Sequence, residues 1–117
     1  MQISNDIEKF IKYYMNSICF LGKLQIDAIK RLAQYRGEGE ECIYCSFDPN
    51  DEDYKEGYVT LYFWTPAVEQ DTMVFAENSV FYKYLVEICE SFIKEEPQSK
   101  VELESYLQQI RRNLNIH

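Results

Sequence analysis

Apolar positions along the chain change period twice, and the changes divide it into elements. Ile7, Phe10, Ile11, Tyr14 and Ile18 recur at steps of three and four, which places them on one face of a helix. Ser4 and Asn5 offer N-cap side chains, with Glu8 three residues beyond Asn5 in capping-box spacing, and Gly22 reads as the stop. A second helix is predicted from about Leu24 or Asp27 to Tyr35, with Ala28, Ile29, Leu32 and Ala33 inward; Gly37 and Gly39 end it. The period then becomes two. Between Glu41 and Asp48, Ile43, Cys45 and Phe47 fall on one face and Cys42, Tyr44 and Ser46 on the other. Turn residues fill Asp48 to Gly57, after which Val59, Leu61 and Phe63 alternate with Tyr58, Thr60, Tyr62 and Trp64 until Pro66. Asp71 to Ala76 gives a third short strand. A helix capped by Asn78 or Ser79 follows to about Glu95, carrying Phe81, Leu85, Ile88 and Phe92 on one stripe, and Pro97 stops it. Ser99 to Glu102 has capping-box spacing for a last helix with Leu103, Tyr106, Leu107, Ile110 and Leu114 inward. The order α-α-β-β-β-α-α predicts one α+β domain over residues 1–117, a small three-stranded antiparallel sheet packed with about four helices.

Charge changes this picture more than composition does. Residues 1–37 carry six bases against three acids, whereas residues 38–77 carry eleven acids and one base, Lys55; the last forty residues are nearly balanced. The acidic middle is also where Tyr44, Phe47, Tyr54, Tyr58, Tyr62, Phe63 and Trp64 lie. A solubilising tail would be acidic but poor in aromatics. Acids interleaved with Tyr and Trp on strands fit a surface that meets a basic partner. A sequence pI of 4.6 argues against direct binding of nucleic acid, which needs clustered Lys and Arg. No run approaches the ~20 apolar residues of a membrane span. Ile18 to Leu21 is too short for a signal peptide's apolar region, and Asp6 and Glu8 spoil its basic flank, so a cytosolic location with reduced thiols is expected.

Motifs for chemistry fare poorly. Cys42-Ile43-Tyr44-Cys45 has C-x-x-C spacing, but on a strand positions i and i+3 project to opposite faces, and no second ligand pair accompanies it. Counted from Asp48 as an EF-hand, the sixth and twelfth positions are Asp53 and Val59 where Gly and Glu belong, and the flanks are strands; a solvated loop is the commoner fate of such a charge run. The one histidine, His117, is the last residue, where no element holds it, and no nucleophile elbow, P-loop or dinucleotide fingerprint is present. No enzyme, metal or cofactor is expected. What remains is the second face of the strand that begins at Gly57. With Val59, Leu61 and Phe63 in the core, Tyr58, Tyr62 and Trp64 lie either under a helix or in an exposed patch rimmed by acids. On the second alternative the expected partner contacts are Asp48, Asp51, Glu52, Asp53, Tyr54, Glu56, Tyr58, Tyr62, Trp64 and Glu69.

Gly57-Tyr58-Val59-Thr60-Leu61-Tyr62-Phe63, then Phe81-Tyr82-Lys83-Tyr84-Leu85 and a Glu-rich closing helix pair, resemble the immunity proteins of bacterial contact-dependent growth inhibition (CDI), in particular the group that neutralises ribonuclease toxins. The likeness covers mainly Gly57 to Asn115. It implies a cytosolic, non-enzymatic inhibitor of a cognate C-terminal toxin domain, a basic nuclease, with no membrane or nucleic-acid contact of its own. It supplies no contact positions. The alternative from a different class is an acidic adaptor or regulatory subunit that binds a basic host protein.

Overall fold

The computed structural model describes residues 1–116; His117, the sequence's one histidine, lies outside the described residues. In chain order the elements are β1 (Gln2–Ile3), α1 (Ile7–Ser17), β2 (Cys19–Phe20), β3 (Lys23–Leu24), α2 (Ile26–Tyr35), β4 (Gly37–Glu40), β5 (Ile43–Ser46), β6 (Tyr58–Phe63), β7 (Thr72–Glu77), α3 (Asn78–Glu95), a 3₁₀ turn (Pro97–Ser99) and α4 (Lys100–Asn113). The expected α+β class and four helices stand, but the three-stranded antiparallel sheet does not. The main sheet has five strands in the order β1-β7-β6-β5-β4, and it is mixed because β1 runs parallel to β7. β2 and β3 form a separate hairpin. The three predicted strands are the central members of the five-stranded sheet, β5, β6 and β7, whose side chains alternate. The added ones lack that signal: β1 and β2–β3 are two residues per strand, and β4 is Gly-Glu-Gly-Glu, poor in β-formers.

Two glycines explain why β4 forms against its propensity. β4 and β5 pair antiparallel with Gly39 opposite Tyr44. A Cβ added at Gly37 would meet the Tyr44 hydroxyl at 2.6 Å, and one at Gly39 would sit 2.1 Å from the Ile43 carbonyl oxygen. The Gly37 clash is with the end of a side chain; the Gly39 clash is with backbone and has nowhere to go. Gly39→Ala is therefore expected to cost about 3 kcal/mol, at the upper end for overpacking, and chemical denaturation will read it. A loss under about 1 kcal/mol would contradict the close strand approach. Gly22, expected to stop a helix, instead turns the β2–β3 hairpin with Leu21, at φ of +78° and +53°, the left-handed pair that two-residue hairpins need.

All core-facing strand residues share one side. Cys45, Leu61 and Val74 align across β5, β6 and β7, with Val59 beside Ala76, and all are fully buried. The helices cover this side. α1 lies against β5, β6 and β7, α3 against β6 and β7, and α4 packs on α2 and α3. The inward stripes are those the periodicity predicts, with Phe10, Ile11 and Tyr14 from α1, Ile29 and Leu32 from α2, Phe81 and Leu85 from α3, and Leu103 and Ile110 from α4. Phe63 sits between the rings of Phe10 and Tyr13, at centroid distances of 4.9 and 5.5 Å. The two expected capping boxes do not form. Ser4 Oγ accepts from the Asp6 N–H, and Ser99 Oγ donates back to the Glu96 carbonyl.

Burial gives the core an alkaline limit. It pushes the Cys45 and Cys89 thiols up to about 12 and raises Tyr14 well above the usual tyrosine range. A raised native pKa contributes stability that is whole below the unfolded value and is lost as pH climbs toward the native one. Thermal midpoints should therefore hold to about pH 8.5, the free-thiol value, and fall continuously above it. A midpoint unchanged up to pH 11 would contradict the burial of these groups.

Candidate partner-binding face

Among the described residues, no helix lies over the other side of the sheet. It is built from the alternate residues of the same three strands: Tyr44, Tyr62 and Met73 form one row across β5, β6 and β7, Ser46, Thr60 and Phe75 the next, and Tyr58 with Glu77 a third. Trp64 follows directly after β6, anchored by its N–H to the Cys42 carbonyl at 2.8 Å. Its indole stacks on Tyr62 at 5.3 Å and only 4° from parallel, and Tyr44 flanks Tyr62 at 6.4 Å. The result is an aromatic row that runs from the β4 edge to the end of β6.

The chain's own loop lies over this face. Within residues 48–57, Asp48 Oδ1 accepts from the Asn50 N–H, and the Asp51 and Tyr54 amides donate to the Asp48 and Asp51 carbonyls, which curls the loop tightly. Side-chain contacts then bind it to β6 and β7. Thr60 Oγ1 donates to the Asp53 carbonyl at 3.1 Å, Tyr62 Oη donates to Asp53 Oδ2 at 3.2 Å, and Lys55 Nζ sits 4.3 Å from the Tyr58 ring and 5.2 Å from that of Phe75. Lys55 is the one base of the acidic middle, and it is spent on cation–π contacts. Burial, and then the charges of Asp51 and Asp53, lift the Tyr62 hydroxyl above the usual tyrosine range, so it stays a neutral donor.

The expected contact residues thus divide. Tyr62 is only 7% exposed, a support beneath Trp64 and the loop rather than a presented ring. Trp64, Tyr58, Asp48 and Asp51 are half-buried; Glu52, Asp53, Tyr54 and Glu56 are exposed around them. Glu69 stands apart in the β6–β7 connection, beside Thr65 and Gln2. The face is covered neither by a helix nor wholly by solvent, because its own loop shields Thr60 and Tyr62. The sequence reading named Tyr44 among the aromatics but not among the contacts, and it passed over Met73 and Phe75, which the period of two in β7 places on the same face as each other and which pair with Tyr62 and Thr60.

Of the C-x-x-C pair, Cys45 is buried on the core side while Cys42 lies in the β4–β5 turn with Sγ directed to the Thr65 carbonyl at 3.7 Å. Among the described residues no three Cys, His, Asp or Glu side chains are grouped so as to hold a metal ion. Among the same residues, no helix is long and apolar enough to cross a membrane.

Compared with known proteins, the chain has no match among curated sequences. A family model does match, over residues 7–107, and its description is CDI immunity protein. That span takes in α1 through most of α4, including the whole of the aromatic face and its loop. The chain belongs to the CDI immunity protein family.

Proposed function

We propose that this protein acts in the cytosol by binding the C-terminal nuclease domain of its cognate CDI toxin, an RNase or tRNase, and that the loop-covered sheet face is the contact. Family membership makes it an immunity protein, whose role is to neutralise a CDI toxin; the nuclease, the location and the contact face are the proposal. The observation that carries it is the placement of the acidic middle. Five acids of that region, Asp48, Asp51, Glu52, Asp53 and Glu56, lie in the loop held over the sheet face that no helix covers among the described residues, against a row of Tyr and Trp. A nuclease cleft is basic because it binds phosphates. Carboxylates fixed on a rigid scaffold complement such a cleft and speed encounter, and half-buried aromatics slow dissociation.

Binding, rather than catalysis, is what the groups present support. Asp48 is engaged by a backbone amide and Asp53 by Tyr62, which orients both without a partner. Such preorganisation lowers the ordering cost of association. The test is co-expression with the cognate toxin domain followed by a nuclease assay. A stoichiometric complex with suppressed RNA cleavage is expected. Undiminished cleavage at excess immunity protein would refute the reading; so would inhibition of a toxin domain that has no nuclease activity.

A further inference from the structure

A cleft of about 600 Å³ opens on the other side of the β4 edge, between the β4–β5 hairpin and the ends of α1 and α2. Its lining is mixed: Ile18, Ala28 and Ile43 supply an apolar strip, the first two buried and the last half-buried, beside Ser17, Gln25 and charged side chains. At its base Arg31 grips Glu38 through two nitrogens, Nε to Oε2 and Nη2 to Oε1, the latter at 2.9 Å. The Glu38 side chain is only 8% exposed, so this pair is a fixed part of the wall. That leaves Glu40 and Glu41 at the rim, both exposed and, among the described residues, neither in an ion pair.

The lining therefore suits one kind of occupant. An anion would meet three carboxylates and a guanidinium already committed to one of them. A lysine or arginine side chain would lay its aliphatic stem along Ile18, Ala28 and Ile43 and carry its charge to Glu40 and Glu41, the division such side chains adopt at apolar surfaces. The cleft also adjoins the aromatic face. Gly39 pairs with Tyr44, and the Cys42 carbonyl holds the Trp64 amide, so the hairpin that forms the rim is joined to both ends of the aromatic row.

We propose that this cleft is a second docking subsite, which receives a lysine or arginine side chain of the same protein partner as the interface wraps around the β4 edge. The inference rests on the toxin-binding reading above and adds a specificity-determining pocket to it. The contact then has two parts: loop and aromatic face for the partner's basic surface, and the cleft for a single inserted cation.

The test compares two charge-equivalent variants, Glu40→Gln with Glu41→Gln at the cleft, and Glu87→Gln with Glu90→Gln on the exposed side of α3. Dissociation constants for the cognate toxin domain are measured by calorimetry after thermal melts confirm both folds. At least tenfold weaker binding is expected for the cleft pair and less than twofold for the control. Equal effects would overturn the cleft while leaving the toxin reading intact. If the wild-type protein fails to bind the toxin domain, the toxin reading falls. The cleft is then judged by titrating the ¹⁵N-labelled protein with acetyl-Lys-Arg-Lys-amide and, separately, with inorganic phosphate. Shifts at the Gln25 side-chain amide, Gly39 and Ile43 with the peptide, lost in the cleft variant, would uphold a cation site. Shifts there with phosphate alone, or with neither probe, would overturn it.

Discussion

Tyr62→Ala is expected to destabilise the isolated protein by about 3 kcal/mol, the lower end for emptying a buried aromatic site, while Trp64→Ala acts mainly on binding. The two rings are stacked, yet their positions differ. Tyr62 is 7% exposed, hydrogen-bonded to Asp53 and flanked by Tyr44, so its removal opens a void under the loop and frees Asp53 from the strand. Trp64 is half-buried at the end of the strand with one face against Tyr62. Its truncation should lower toxin affinity by about 2 kcal/mol or more, roughly 30-fold. Tyr62→Phe separates the ring from its hydroxyl and should cost only about 1 kcal/mol, the value of one hydrogen bond. Equilibrium denaturation and toxin affinity, measured on all three variants, will decide. Equal losses of stability at both positions would mean that Trp64 is packing and that the binding surface lies in the acidic loop alone.

Reversing the loop's charge should slow capture of the toxin without unfolding the protein. Asp51, Glu52 and Glu56 replaced together by Lys are expected to lower the association rate about ten- to hundredfold at low salt, because long-range fields set the encounter rate. The difference should shrink at high salt as the charges are screened. Stability should move by less than about 1 kcal/mol, since none of these three side chains makes an ion pair among the described residues. Asp53 is left in place because it accepts from Tyr62 and changing it would mix folding with binding. Stopped-flow association at two salt concentrations reads the effect. Unchanged low-salt rates would show that the loop is not the electrostatic footprint.

The helices were legible because each buries one stripe, and a stripe at 3.6-residue spacing needs only local sequence. Ile29 and Leu32, or Leu103 and Ile110, announce their burial without reference to any partner. The central strands were legible for the same reason at period two. β4 was not, since Gly37 and Gly39 record demands made across the sheet by the Tyr44 side chain and by the Ile43–Tyr44 backbone respectively, and a glycine's neighbour cannot be read from its own segment. β1 was hidden because two residues carry no period; its pairing comes from the parallel register of Gln2 with Thr72. The candidate face was half legible. Alternation separated Tyr58, Tyr62 and Trp64 from the core, and the charge run marked the loop. The contacts of Asp53 with Thr60 and Tyr62, which bury Tyr62 beneath the loop, depend on the loop's path, and composition does not encode a path.

Hydrogen exchange of the protein with and without its toxin domain locates the contact without any substitution. Protection on binding is expected in residues 48–57 and around Tyr44 and Trp64, with the outer surfaces of α3 and α4 unchanged. Protection confined to α3 and α4, with the loop exchanging as in the free protein, would contradict the assignment of the contact to the acidic aromatic face.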